Sequence, residues 1–312
     1  MQKIILFLLF SIVLNALQPN SKIYTQNFIS SIFIYKDILY VSSDNGEVEI
    51  YNINSKKKLD SIKLDSISDY FGNKIEPKVF QTHTIDGKKL LILSQDSNGS
   101  SKISLYEDRK LVNLDINNAD SIIKKAYFID NDNILLGFLS NEIWLYNLKQ
   151  NHIVWRVKPS EAVFSDLIIN ENEAISTTEG GIIYIIDLKN GKISKELEGA
   201  NFDNVYMLDS KFNVILSAGR DKACGVYYKN SASFKRLETE FLSYAVALSK
   251  DSTLGAVSFN ENNDILIFNT ANLKKIVLLN GGDALPNSII FIDNSNIVAS
   301  FDSKSILFWK IN

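Results

Sequence analysis

One cysteine, two histidines and four prolines are all that the 312 residues contain of these types. A single Cys224 rules out an intramolecular disulfide and haem attachment through a cysteine pair. With only His83 and His152 beside it, no Cys/His cluster for zinc can form. Nucleophilic hydrolysis usually needs a base next to Ser or Cys, and no such arrangement is legible. No Gly-rich phosphate loop is present. Lys and Arg total 33 against 36 Asp and Glu, with no basic block, so the electrostatic footprint of a nucleic-acid binder is missing. The longest apolar run is Ile4 to Leu14, well short of the ~20 residues a membrane-spanning helix needs.

That run is informative in its own right. It follows Lys3, and Asn15-Ala16 then offers a small residue at a cleavage point. Residues 1–16 therefore read as a secretory signal, and 17–312 as the mature chain. No Cys follows the run, which speaks against a lipid anchor. The expected location is the periplasm.

A repeat dominates the remainder. Tyr106, Tyr146, Ile186, Tyr227, Phe268 and Trp309 stand 40, 40, 41, 41 and 41 residues apart, and Tyr51 precedes them by a longer interval. Each closes a short apolar strand, such as Ile143-Trp144-Leu145-Tyr146 or Ile265-Leu266-Ile267-Phe268. A period of this size built from short strands marks one four-stranded propeller blade per repeat. The fold expected is all-β, a single seven-bladed β-propeller over 17–312. Each unit reads as strand A, a polar turn, strand B, a second turn, strand C ending at the anchor, then strand D. The clearest unit places strand A at Ser243–Leu248, B at Leu254–Phe259, C at Asp264–Phe268 and D at Lys274–Leu279. Further A strands are expected at Ala126–Asp130 and Ile289–Asp293. The seventh unit ends at Trp309 without a strand D. Lys22–Asn27 is left over, and is predicted to fill that gap beside Ser305–Lys310, so that no edge stays open.

The chain resembles the WD40 family over about residues 22–312, most closely at Leu216-Ser217-Ala218-Gly219-Arg220-Asp221-Lys222 followed by Val226-Tyr227. The resemblance implies that Asp221 braces the tight connection between strands B and C. Trp309-Lys310 and Ile186-Asp187 each keep half of the Trp-Asp signature. No Gly-His pair opens the units, so the hydrogen-bonded tetrad of typical members is not expected in most blades. Asp187-Leu188-Lys189-Asn190-Gly191-Lys192-Ile193 and Asn151-His152-Ile153-Val154-Trp155 resemble the strand C to D turns of quinoprotein-type propellers, where they dock blades. Lys125–Asp130, Ile134–Phe138, Asp221–Cys224, Phe241–Lys250 and the Phe308-Trp309-Lys310-Ile311 ending are similar to a propeller accessory protein of bacterial periplasmic nitrate reductase systems, the NapL type. That resemblance implies a role in maturation of, or electron supply to, the reductase, and carries over no functional residue.

Site candidates are few. Asp130-Asn131-Asp132-Asn133 has the alternation of a calcium loop without its Gly and Glu, and reads as an A–B turn. His83 reads as a hydrogen-bonded strand residue, His152 as a solvated turn, and Cys224 as strand packing. The stretch between Tyr51 and Tyr106 holds two insertions, Ser66–Lys78 and Gln95–Ser100. By blade geometry both emerge on one face, the same face as Arg220. Tyr70, Phe71, Lys74 and Arg220 are the expected partner contacts. The expectation is a non-catalytic, monomeric, exported propeller that holds no cofactor and binds protein, with reductase subunits or their cytochromes as the partners the resemblance implies. Two alternatives stand beside it: a channel enzyme of the lactonase or quinoprotein kind, and a factor for outer-membrane protein assembly.

Overall fold

The computed structural model describes residues 15–116 and 121–311. Seven blades, each an antiparallel four-stranded A-B-C-D sheet running outward from the centre, make up the molecule, the sixth extended by a fifth, N-terminal strand. Their A strands are Ile29–Tyr35, Val79–His83, Ile123–Phe128, Phe164–Asn170, Val205–Lys211, Val246–Leu248 and Pro286–Phe291. Each A strand touches the next, and the seventh touches the first, so the sheets close into a ring.

Burial explains the sequence pattern. Strands B and C are sandwiched between neighbouring blades, so they are apolar on both faces and read as continuous runs. Strand C of blade 4, Ile183–Asp187, buries its first four side chains. Strand D is the outer edge and alternates: in His152–Val157 of blade 3, every second residue is exposed. The core is thus divided into seven hydrophobic clusters, each spanning one interface between blades. The anchors serve these interfaces. Trp309, Phe268, Ile186, Tyr146 and Tyr227 are all essentially inaccessible, whereas Tyr106 is only partly covered.

The seventh blade is completed from the other end of the chain. Ser21–Tyr24 pairs antiparallel with Ser305–Lys310, Ser21 opposite Phe308 and Tyr24 opposite Ser305. Ile23 is buried by this pairing. The closure also reaches blade 1, where the Gln26 N–H donates to Glu49 Oε1 (3.2 Å) and Asn27 Nδ2 to Glu47 Oε2 (3.1 Å). A further pairing was not legible in sequence: Ala16–Leu17 lies parallel to the outer strand of blade 6, Ala16 opposite Leu278. Most of the expected leader, residues 1–14, falls outside the described residues.

Several A strands are displaced from their expected bounds. Blade 6 begins its inner strand at Val246 rather than Ser243, because Ser258 Oγ accepts from the Tyr244 and Ala245 N–H groups and replaces the ladder there. Ile123–Phe128 and Pro286–Phe291 start earlier and end sooner than expected. They end where Asp130 Oδ1 and Asp293 Oδ1 accept the N–H groups two and three residues on, which turns the chain. They start earlier through a bulge near the strand entrance, which recurs in blades 1, 2, 3, 4, 5 and 7.

Candidate functional site

In antiparallel blades ordered A to D, the D–A loops and B–C turns emerge on one face, the A–B and C–D turns on the other. Ser66–Lys78 is the D–A loop of blades 1 and 2. It folds as a small hairpin of Ile67–Ser68 against Lys74–Ile75. Asp69 builds its tip: Oδ1 accepts from the Phe71 N–H (2.9 Å) and Asn73 N–H (2.8 Å), and Oδ2 from Asn73 Nδ2 (3.0 Å). These bonds, those from Asn73 foremost, hold the Asp69 carboxyl below the usual range. Gly72 takes the left-handed backbone at φ +83°, which a side chain resists. Ser66 Oγ donates to Glu76 Oε1 at the base.

This frame presents Tyr70 and Phe71 at 83% and 84% exposure, their rings edge to face at 5.5 Å. Lys74 is exposed on the second strand. The other insertion, the B–C turn of blade 2, contains a short 3-10 turn at Ser97–Gly99 that lies beside the hairpin. The two insertions therefore form one projection.

Arg220 sits on the same face but not in the same place. It occupies the B–C turn of blade 5, three blades round the ring from the hairpin, 62% exposed and loosely paired with Asp203 (3.9 Å). Its neighbours form a second aromatic patch that sequence reading missed. Tyr206 stacks on Tyr244 (5.3 Å, 15°), Phe241 leans on Tyr244, and Phe202 is 72% exposed with the Arg236 guanidinium 5.2 Å above it. The available signal was the aromatics around two successive D–A loops: Phe202 in one, with Tyr206 at the start of the strand it leads into, and Phe241 and Tyr244 in the next.

Beneath Arg220 lies the tetrad not expected in most blades. Asn201 stands where a histidine would. Its Nδ2 donates to Asp221 Oδ1 (2.9 Å), its Oδ1 accepts from Ser217 Oγ, and its N–H donates to the Tyr227 hydroxyl (3.3 Å). Asp221 Oδ2 also accepts from the Phe202 N–H and from Arg236 Nη1 (2.7 Å). Burial works against the Asp221 charge, but these donors keep its carboxyl below the usual range. Gly219 and Gly225 leave the space: a Cβ on either would lie 2.4 Å or less from a polar atom of the network. So Asp221 does brace the B–C connection, as the WD40 resemblance implied.

The central channel, a cavity of about 300 Å³, is walled by all seven A strands. Polar side chains of the A strands bind one blade to the next. Gln81 Oε1 accepts from the Ala126 N–H and His83 Nδ1 from the Phe128 N–H (both 3.1 Å). Asp166 Oδ2 accepts from the Leu208 N–H (2.8 Å) and Asp209 Oδ2 from the Leu248 N–H (2.7 Å). Lys125 pairs with Asp166 at 2.8 Å, and burial of Lys125 is outweighed by that carboxylate, so its pKa is raised. Most of these partners stand about one repeat apart in sequence, which is how a period becomes a ring. Burial lowers the His83 pKa to about 4, so the ring is neutral at pH 7. Among the described residues, no three His, Cys, Asp or Glu side chains gather closely enough to hold a metal ion. Cys224 is fully buried, and burial pushes its thiol far up.

The chain is a seven-bladed β-propeller of WD40-like fold. It superimposes on the β-propeller domain of Cps50 (Swd1) from Myceliophteria thermophila with a TM-score of 0.75 at 13% identity, covering 94% of this chain and 99% of that one. It matches a chain of the Mitotic Checkpoint Complex with a TM-score of 0.77 at 11% identity, covering 100% and 97%. At such identities the likeness is one of fold. Neither a protein-family profile nor a curated protein sequence matches the chain.

Proposed function

We propose that this is an exported, non-catalytic propeller that holds a protein partner on its loop face, as an accessory factor of a periplasmic nitrate reductase system. One observation carries the binding part. Tyr70 and Phe71 are more than four-fifths exposed on a turn that hydrogen bonds have already fixed. Exposing two adjacent large rings in water has no folding benefit, and a rigid aromatic tip loses little entropy on docking. Lys74 beside them supplies a charged rim contact, and Arg220 with the Tyr206/Tyr244 stack supplies a second anchor across the ring. The apolar leader-like segment 4–14 supports export. The similarity of the strand sequences to the NapL type supports the reductase system.

The test is a tagged pull-down from periplasmic extract, alongside the Tyr70→Ala/Phe71→Ala variant. Enrichment of reductase subunits or their cytochromes by the native protein, lost in the variant, is the expected result. Enrichment of outer-membrane assembly components instead would replace this reading with that of an assembly factor.

A further inference from the structure

The connections on the two faces of the ring differ in charge. Among the described residues, the D–A loops and B–C turns hold seventeen Asp and Glu against six Lys and Arg. The A–B and C–D turns hold eight against twelve. A chain close to neutral overall is therefore polar along its axis, with the acidic end carrying both aromatic patches. Much of this charge is uncommitted. Asp44, Asp65, Glu179, Glu198, Glu240 and Glu261 are exposed on that face and form none of the ion pairs of the described residues. They are spread from blade 1 to blade 6, so the field covers the face rather than one pocket. Like charges held this way repel one another, and a partner of opposite sign relieves the repulsion.

We infer that the acidic loop face docks a protein surface rich in Lys and Arg, with the Tyr70–Phe71 tip as its apolar anchor. This rests on the protein-partner reading above and adds the partner's chemistry. The acidic field steers a basic surface to this face and repels an acidic one, while the aromatic tip sets how long it stays. The opposite face, with its basic excess, turns away from such a partner.

Fluorescence anisotropy with two labelled peptides of equal length tests this, one rich in Lys and Arg, one rich in Glu, each carrying the same two Leu. The native protein is expected to bind the basic peptide at least about tenfold more tightly, and to lose about fivefold or more between roughly 20 and 300 mM salt. Neutralising the six acids, as Asp→Asn and Glu→Gln, should weaken binding by about tenfold, with each half of the set giving part of the loss. Asp108→Asn with Glu171→Gln, on the other face, should leave it unchanged. Tyr70→Ala/Phe71→Ala should cost about fivefold at both salt concentrations. Equal binding of the two peptides, no binding of the basic one at low salt, or full affinity in the six-acid variant would each overturn the inference. Reductase subunits recovered from extract without basic-peptide binding would sink the charge assignment and leave the accessory role standing. Basic-peptide binding on this face without reductase subunits would do the reverse.

Discussion

His83 links pH to stability at the level of one side chain. Burial lowers its pKa from 6.5 to about 4, and its Nδ1 accepts a hydrogen bond from the next blade. The unfolded chain takes up a proton near pH 6.5, while the folded ring resists until about pH 4. Stability is thus fully present above pH 6.5 and falls as pH drops through that window, by on the order of 3 kcal/mol for this group. His83→Gln keeps an acceptor and does not titrate, so urea unfolding at pH 7 and pH 4.5 should show a smaller loss in the variant than in the native protein. Asp221 supplies a second test. Asp221→Ala strips Arg236 and Asn201 of their shared acceptor, and should destabilise by about 2–3 kcal/mol in the same assay. Conversely, Tyr70→Ala/Phe71→Ala should leave Tm within about 2 °C, because exposed rings contribute little to folding.

Among the elements, the N-terminal strand is the most exposed to test. Removing residues up to Gln26 takes away the ladder from Ser21–Tyr24 and the burial of Ile23. That is about 4 kcal/mol, or on the order of 8 °C in Tm for a domain of this size. It also bares the edge of Ser305–Lys310, so scattering should show concentration-dependent association. A truncated chain that melts unchanged as a monomer would refute the closure. This element was legible beforehand, since an unassigned strand at one end matched a missing strand at the other. Strand C was legible throughout, because a four-residue apolar run ending in a large anchor leaves only one burial pattern. Strand A was harder: a bulge at its entrance breaks the alternation and turns Ser31, Lys125, Asp166 and Ser288 toward the channel. The blade 5 tetrad is hidden in the sequence because Asn201 does the work of the usual histidine. The Phe202/Tyr206/Tyr244 patch is not legible in sequence because its residues come from two successive loops and the start of one A strand, which only the packing of blade 5 on blade 6 brings side by side.

Taken as a whole, the molecule is a ring whose strength lies between blades and whose variation lies on one face. Seven clusters and a belt of channel hydrogen bonds join neighbour to neighbour, so no blade stands alone. The channel carboxylates Asp166 and Asp209 belong to that belt, and the loops carry the variation. There the insertions, the exposed aromatics and the acidic excess coincide. The proposed role is to hold a protein partner from a nitrate reductase system on this face. The most direct measurement is the periplasmic pull-down, identified by mass spectrometry, with native protein and Tyr70→Ala/Phe71→Ala side by side. Reductase subunits or their cytochromes are expected with the native protein and lost in the variant. Equal recovery by both, or no enriched protein with either, would contradict that role.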